Sequence, residues 1–437
     1  MKLWLFPKTC CGQLLIPVFG LALFLSACAS KPVNELMLMP APDVFDQGDW
    51  DPFTDRDPVK DIPYGGMLYA TDREPAREEG RYYRDARGQV LRLGVARVVA
   101  GKKDMTWEEA RRISLLKERP EEYPLKVTAV TETGILDRSI NPLTESLADN
   151  DQRHVPGVQF AAKIDTKLSI SKQKDVFIYV PGYKVVFENP LLVASELWHF
   201  LGYEGAFIAF AWPSTPSTLA YFSDLETAIL SAGNLRILIQ FLAEETQARR
   251  IHIIGYSAGT RVVAQALSQL ALMHTGTDRK EGAKKLRVGH VILTGSDLDM
   301  HLFGAYLVDG LLDVAENVTV YASAKDSALD VSRWVFGHDR LGQIVTGELS
   351  ADAANYLRQN KNLVIINATD TPGAETGNGH AYFRKSPWTS SDILATLAFN
   401  FKPAQRGLEQ AAGQPIWTFS TDYIARLRTA IFKARSE

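Results

Sequence analysis

Five residues, Gly255-Tyr256-Ser257-Ala258-Gly259, constrain this chain more than any others. They follow the apolar run Ile251-His252-Ile253-Ile254 and lead into Thr260-Arg261-Val262-Val263-Ala264-Gln265-Ala266-Leu267, which has helical spacing. The pattern predicts a strand, a sharp turn and a helix. In that context a serine hydroxyl is thrown clear of the sheet edge, with a helix N-terminus beneath it. The flanking glycines suit a turn too tight for a Cβ against the neighbouring strand and helix.

A serine hydroxyl becomes a nucleophile only beside a base, and the base needs an acid to orient it. In α/β-hydrolases, whose strand–elbow–helix this segment resembles, the three follow the chain in the order Ser, acid, His. His380 lies beyond the last predicted strand, in the glycine-flanked loop Gly377-Asn378-Gly379-His380-Ala381-Tyr382. His301 and His338 come too early, and His252 sits inside a strand, where side chains pack rather than reach the sheet tip. Asp326, just past the strand around Val318-Thr319-Val320-Tyr321, is the expected acid, with Asp297 and Asp299 as alternatives one strand earlier. An oxyanion hole needs two backbone N–H groups. The expected donors are Ala258, at the start of the elbow helix, and Tyr183, in the loop Pro181-Gly182-Tyr183-Lys184 that follows Val176-Phe177-Ile178-Tyr179-Val180. Trp198, Trp212, Trp334 and Trp388 read as acyl-pocket candidates or as ordinary packing.

Composition excludes several other classes. A formal net charge of −3 gives no electrostatic basis for nucleic-acid binding. The only cysteines are Cys10, Cys11 and Cys28, so the rest of the chain has no disulfide and no cysteine nucleophile. The histidines show no metal-ligand spacing, and no phosphate-cradling loop is present, so neither metal nor cofactor is expected.

The first residues read as a targeting segment. Lys2 and Lys8 precede the uncharged run from Leu14 to Leu25, too short for a comfortable membrane span. Leu25-Ser26-Ala27-Cys28 resembles a bacterial lipoprotein processing site, with Cys28 as the acylated first residue. The alternative is an ordinary secretory signal cut near Ala27 or Ala29. Cleavage before Cys28 removes two lysines and no acid, taking the formal net charge from −3 to −5. Ala29 in place of Asp, by resemblance to enterobacterial lipoproteins, points to the outer membrane, facing the periplasm.

The domain reading is therefore a signal peptide at 1–27, a Pro- and Asp-rich flexible tether at 28–63, and one domain at 64–437. Within it, 64–174 carries N-terminal strands, 175–400 the alternating strand–helix core, and 401–437 a C-terminal helix, read at Asp422 to Lys433. Short apolar runs separated by helices argue for an α/β class, a mostly parallel sheet covered on both faces. The excursion at 327–360 reads as a cap over the site or as ordinary covering helix.

These residues resemble a bacterial α/β-hydrolase family of unknown function. The likeness lies in Leu68-Tyr69-Ala70-Thr71-Asp72-Arg73, Val180-Pro181-Gly182-Tyr183, Phe210-Ala211-Trp212-Pro213-Ser214 and Tyr221 with Asp224-Leu225-Glu226-Thr227-Ala228. The elbow, Tyr321 to Leu329, and Gly379-His380-Ala381-Tyr382 complete it. The resemblance implies an α/β-hydrolase fold, read here as an eight-stranded, mostly parallel sheet, and a Ser257–Asp326–His380 triad. The family usually has His where this chain has Pro181 and Tyr256, and neither change removes a catalytic group. The expected activity is serine hydrolysis of a small-molecule ester or thioester. The alternatives are acyl transfer on the same residues and a noncatalytic envelope scaffold. Apart from its substrate, the expected partner is the membrane, through the Cys28 anchor, and the sequence assigns no oligomeric state.

Overall fold

The structure, a computed structural model, describes residues 35–46, 50–53, 55–102, 104–143, 152–217, 220–274, 279–347, 349–411 and 413–436. The signal peptide and Cys28 lie outside the described residues. Among the described residues twelve strands form one sheet: β1 Glu35–Met37, β2 Met67–Pro75, β3 Tyr83–Ala100, β4 Pro124–Ile135, β5 Asp175–Val180, β6 Ala206–Phe210, β7 Arg250–Tyr256, β8 Val288–Thr294, β9 Asn317–Ala322, β10 Leu363–Asn367, β11 Leu408–Gln410 and β12 Trp417–Phe419. Their spatial order is β1-β4-β3-β2-β6-β5-β7-β8-β9-β10-β12-β11. From β2 to β12 in that order every neighbouring pair is parallel. The antiparallel strands β3, β4 and β1 extend one edge, and β11 closes the other.

The expectation of eight strands is corrected to twelve. Three of the strands beyond the expected number, β1, β11 and β12, lie at or next to a sheet edge and have three residues each. Runs that short carry no readable alternation.

Strand alternation divides the core into two layers. Along β5, Val176, Ile178 and Val180 join one apolar cluster, while Phe177 and Tyr179 join the other. In β6, Ala206, Ile208 and Phe210 oppose Phe207 and Ala209 in the same way. The helices Tyr221–Glu245 and Gly259–Met273 cover the first face. The helices Glu188–Phe200, Pro387–Phe399 and Tyr423–Ser436 cover the second.

The tether reading fails from residue 35 onward. β1 pairs with β4, and Leu38, Met39, Ala41, Val44, Phe45, Trp50, Phe53 and Ile62 are buried. The segment is a strap across the second helical layer. The Val44 amide donates to Ser391 Oγ (3.2 Å), the Trp388 indole to Asp43 Oδ2 (3.0 Å), and the Trp50 ring meets Phe399 edge-on at 5.0 Å. Its prolines and aspartates suggest an unstructured linker, but the apolar residues between them find partners far along the chain. In the C-terminal stretch 401–437, the unexpected strands β11 and β12 precede the helix Tyr423–Ser436, which lies at the position expected for a helix from Asp422 to Lys433.

Candidate active site

The site is assembled at the C-terminal ends of the parallel strands. β7 lies between β5 and β8, and the chain turns at Ser257 with φ of 52° before entering the helix Gly259–Met273. A left-handed φ on a residue with a Cβ costs free energy and persists only where its surroundings enforce it. Here the Ser257 amide donates to the Thr294 carbonyl of β8 (3.0 Å), and Thr260 Oγ1 donates back to the Ser257 carbonyl (2.6 Å). A Cβ on Gly259 would stand 2.3 Å from the Pro181 carbonyl oxygen, so the elbow closes against the β5 loop only with glycine at this position.

His380 reaches Ser257 from the loop after β10. Its Nε2 lies 2.8 Å from Ser257 Oγ, and its Nδ1 lies 2.7 Å from Asp326 Oδ2. Asp326 is fully buried and Ser257 nearly so, while the imidazole keeps a small exposed edge. The carboxylate fixes the ring: an Nδ1–H donating to Asp326 leaves Nε2 to accept the Ser257 hydroxyl proton. Asp326 is itself held. Its Oδ1 accepts the Leu329 amide (3.3 Å) as N-cap of the helix Ser327–Phe336, and its carbonyl accepts Gln343 Nε2 (3.3 Å).

The acid and histidine loops are stitched together. Ser327 donates from both its amide (3.1 Å) and its hydroxyl (3.0 Å) to the Asn378 carbonyl. Gly379, at φ +67°, lets the chain turn where a Cβ would stand 2.2 Å from the Lys325 carbonyl oxygen. Tyr382 donates to the Tyr321 carbonyl (2.6 Å) and accepts the Gly295 amide (2.7 Å), tying the His380 segment to β9 and to the loop after β8. The Tyr256 ring packs on the imidazole with centroids 5.0 Å apart.

The other sequence candidates lie elsewhere. Asp297 bonds to Arg261 Nε (3.2 Å) and the Ser332 hydroxyl. Asp299 caps the helix Met300–Asp309, its Oδ1 accepting the His301 and Leu302 amides, both at 2.9 Å. Neither carboxylate meets His380. His252 lies at the opposite end of the sheet, where its Nδ1 accepts the His290 amide (2.9 Å) and its ring stacks with Phe177 and His290. Trp198 is buried with its indole on the Glu204 carbonyl, Trp388 packs on Phe419 and Tyr423, and Trp334 is exposed on the helix Ser327–Phe336. Within 327–360, Leu341 and Gly342 bond to Leu298 and Ser296, the loop behind the acid.

Of the expected oxyanion donors, Ala258 caps the elbow helix and is buried. Its amide has no acceptor among the described residues, and it belongs to the positive end of the helix dipole. Tyr183 follows Gly182, where an added Cβ would lie 2.9 Å from Ser257 Cβ and 3.3 Å from Oγ. The β5 loop therefore passes directly over the serine. Among the described residues no cluster of histidine, cysteine and acidic side chains forms a metal site.

Two residues behind this loop take a role that sequence reasoning did not give them. Arg73 is fully buried, and its Nη2 donates to the carbonyls of Val185 (2.8 Å) and Ser214 (3.3 Å). Trp212, also fully buried, donates from Nε1 to the Pro181 carbonyl (2.8 Å). Both belong to motifs quoted above, Thr71-Asp72-Arg73 and Trp212-Pro213-Ser214, but nothing in a linear sequence shows that they converge.

A family model described as an alpha/beta hydrolase of unknown function (DUF900) matches residues 158–396. No curated protein and no solved structure matches the chain.

Proposed function

The chain belongs to that alpha/beta hydrolase family, and from this premise we propose that it is a serine hydrolase acting on an ester or thioester through an acyl-enzyme. The supporting observation is the continuous relay from Ser257 Oγ through His380 to the buried Asp326 carboxylate, at 2.8 and 2.7 Å, mounted on a serine at φ 52°. Ser257 attacks the acyl carbonyl while His380 Nε2 takes its proton, and Asp326 stabilises the imidazolium that results. The Ala258 and Tyr183 amides receive the oxyanion. The imidazolium then protonates the leaving alcohol or thiol. Water, deprotonated by the same Nε2, releases the acid and restores Ser257. If an alcohol replaces water in that last step, the same relay performs acyl transfer.

The test is a fluorophosphonate probe followed by mapping of the labelled peptide. The expected result is a single adduct on Ser257, lost in Ser257→Ala together with hydrolysis of short-chain p-nitrophenyl esters. Esterase activity that survives in purified Ser257→Ala overturns the assignment. A folded wild-type protein that never labels favours the scaffold alternative. Product analysis with an added alcohol separates hydrolysis from transfer.

We also propose that Cys28 is lipidated and places the domain in the bacterial envelope, at the outer membrane. The support is the Leu25-Ser26-Ala27-Cys28 sequence. Several acyl chains on one cysteine anchor stably, whereas one chain holds marginally. Cys28→Ser should give unprocessed precursor or soluble protein, and an unmodified mature N-terminus by mass spectrometry overturns the proposal.

A further inference from the structure

The loop that carries Tyr183 has an unusual backbone. Lys184, the next residue, stands at φ 65°, a left-handed conformation that is costly for a residue with a Cβ. A strained turn holds one shape only if its flanks are fixed. Both flanks are fixed here, by residues remote in sequence. On one side Trp212 Nε1 donates to the Pro181 carbonyl (2.8 Å). On the other, Arg73 Nη2 donates to the Val185 carbonyl (2.8 Å). The Ser214 hydroxyl bridges the two peptide groups that flank Val185, accepting the Val185 amide and donating to its carbonyl, both at 3.3 Å.

The clamp is itself braced. Arg73 Nη1 bonds to Asp85 Oδ1 (3.0 Å) and the Arg84 carbonyl (3.4 Å), which balances a charge with no exposed surface. Thr71 Oγ1 donates to the Ala211 carbonyl (2.6 Å), joining the middle of β2 to the residue after β6, beside Trp212. Asp224 accepts Thr215 through both its amide (2.8 Å) and its hydroxyl (2.9 Å), which holds the segment after Ser214.

We infer that Arg73 and Trp212 are positioning residues: they pin the Pro181 and Val185 carbonyls so that the Tyr183 amide between them stays aimed at the oxyanion formed on Ser257. This rests on the proposed serine chemistry and assigns a role to two motifs that touch no reacting atom. A planar peptide ties each N–H to the carbonyl of the preceding residue. Pinning carbonyls on both sides therefore restricts how far the intervening peptides rotate. An oxyanion donor is effective only when pre-aimed, because the charge it meets exists only near the transition state.

The test uses Trp212→Phe, which keeps most of the ring volume and removes one N–H, and Arg73→Lys, which keeps the charge and loses the fork. Both are assayed on a p-nitrophenyl ester after near-UV circular dichroism and thermal unfolding establish the folded fraction. The expected result for each is a 10- to 100-fold fall in kcat with KM within about threefold, a fraction of what removing a donor outright costs. Affinity for a trifluoromethyl ketone, which forms a tetrahedral oxyanion adduct on the serine, should fall by the same factor. A merely structural role predicts activity that tracks the folded fraction, with ketone affinity per folded molecule unchanged. That outcome, or wild-type kcat in both variants, overturns the inference. If the wild-type protein labels at Ser257 in the same preparation, the serine chemistry survives that failure. If the wild-type protein does not label, both readings fall together.

Discussion

Arg384 and Glu196 form a buried ion pair behind the segment that carries His380. Arg384 Nη2 lies 3.0 Å from Glu196 Oε2, and Arg384 Nε makes a second contact on Oε1. Glu196 Oε2 also accepts the Met39 amide (3.1 Å), and Arg384 Nη2 also donates to the Met37 carbonyl (3.0 Å). One pair thus joins the helix Glu188–Phe200, the helix Tyr382–Lys385 and the N-terminal strap.

Removing one charge should be costly. Glu196→Gln leaves Arg384 buried beside a neutral amide, and breaking a buried pair in this way destabilises by about 3–5 kcal/mol. Deleting residues 29–63 leaves the pair but strips it of the Met37 and Met39 contacts, and uncovers the surface beneath Phe45, Trp50 and Phe53, each worth roughly 1.5–3 kcal/mol of burial. That sum is comparable with the whole stability of a typical domain. The deletion variant should be insoluble or bind a hydrophobic dye, and an unchanged urea midpoint would overturn the strap.

Gly182→Ala probes how tightly the β5 loop passes over the serine. Its Cβ would stand 2.9 Å from Ser257 Cβ, closer than packed atoms allow. The variant should fold, because the crowding is local, yet label with fluorophosphonate at least tenfold more slowly than the wild-type protein. Wild-type labelling would mean that the loop yields freely.

Three aspartates separate by role. Asp326→Asn presents the wrong partner to His380 Nδ1 and should lower turnover by about 10³- to 10⁴-fold while leaving the fold intact. Asp299→Asn exchanges one good N-cap for another and should change little. Asp297→Asn should act on stability, through Arg261 and Ser332, with turnover of the folded protein near that of the wild-type protein. Steady-state kinetics beside urea unfolding checks all three. An inactive Asp297→Asn beside an active Asp326→Asn would reverse the assignment.

Two buried histidines should set the acid limb of stability. Burial, with the Arg119 charge nearby, lowers His199 to about 3, and burial, with neighbouring His252, lowers His290 to about 3. In the unfolded chain both titrate near ~6.5. Above that pH neither state binds the proton, so their contribution is fully present. As pH falls from ~6.5 toward ~3 the unfolded chain takes up protons that the folded state refuses, and stability drops by up to about 1.4 kcal/mol per pH unit for each group. His199→Gln combined with His290→Gln should be less stable at pH 8 but show a shallower loss on acidification in urea titrations. An unchanged slope would remove the two histidines from the account.

The sequence alone determined the strand–elbow–helix around Ser257, because adjacent residues specify it: an apolar run, two small residues where backbones approach, and a helical pattern. It also narrowed the partners to His380 and a short set of aspartates, since chain order along a parallel sheet dictates which loops arrive at one edge. Which carboxylate turns toward His380 was a tertiary matter. Asp297 and Asp326 both end neighbouring strands, and the cross-links between Ser327 and Asn378 bring the Asp326 loop onto the histidine. The strap at 35–63 was illegible for the same reason. Its apolar residues follow no helical or strand period and are buried by elements far along the chain, from Trp107 and β4 to the helix Pro387–Phe399. Arg73 and Trp212 stood in plain view as motif residues. Their meaning came from convergence of the ends of β2, β5 and β6, a property of the sheet order that no local window of sequence contains.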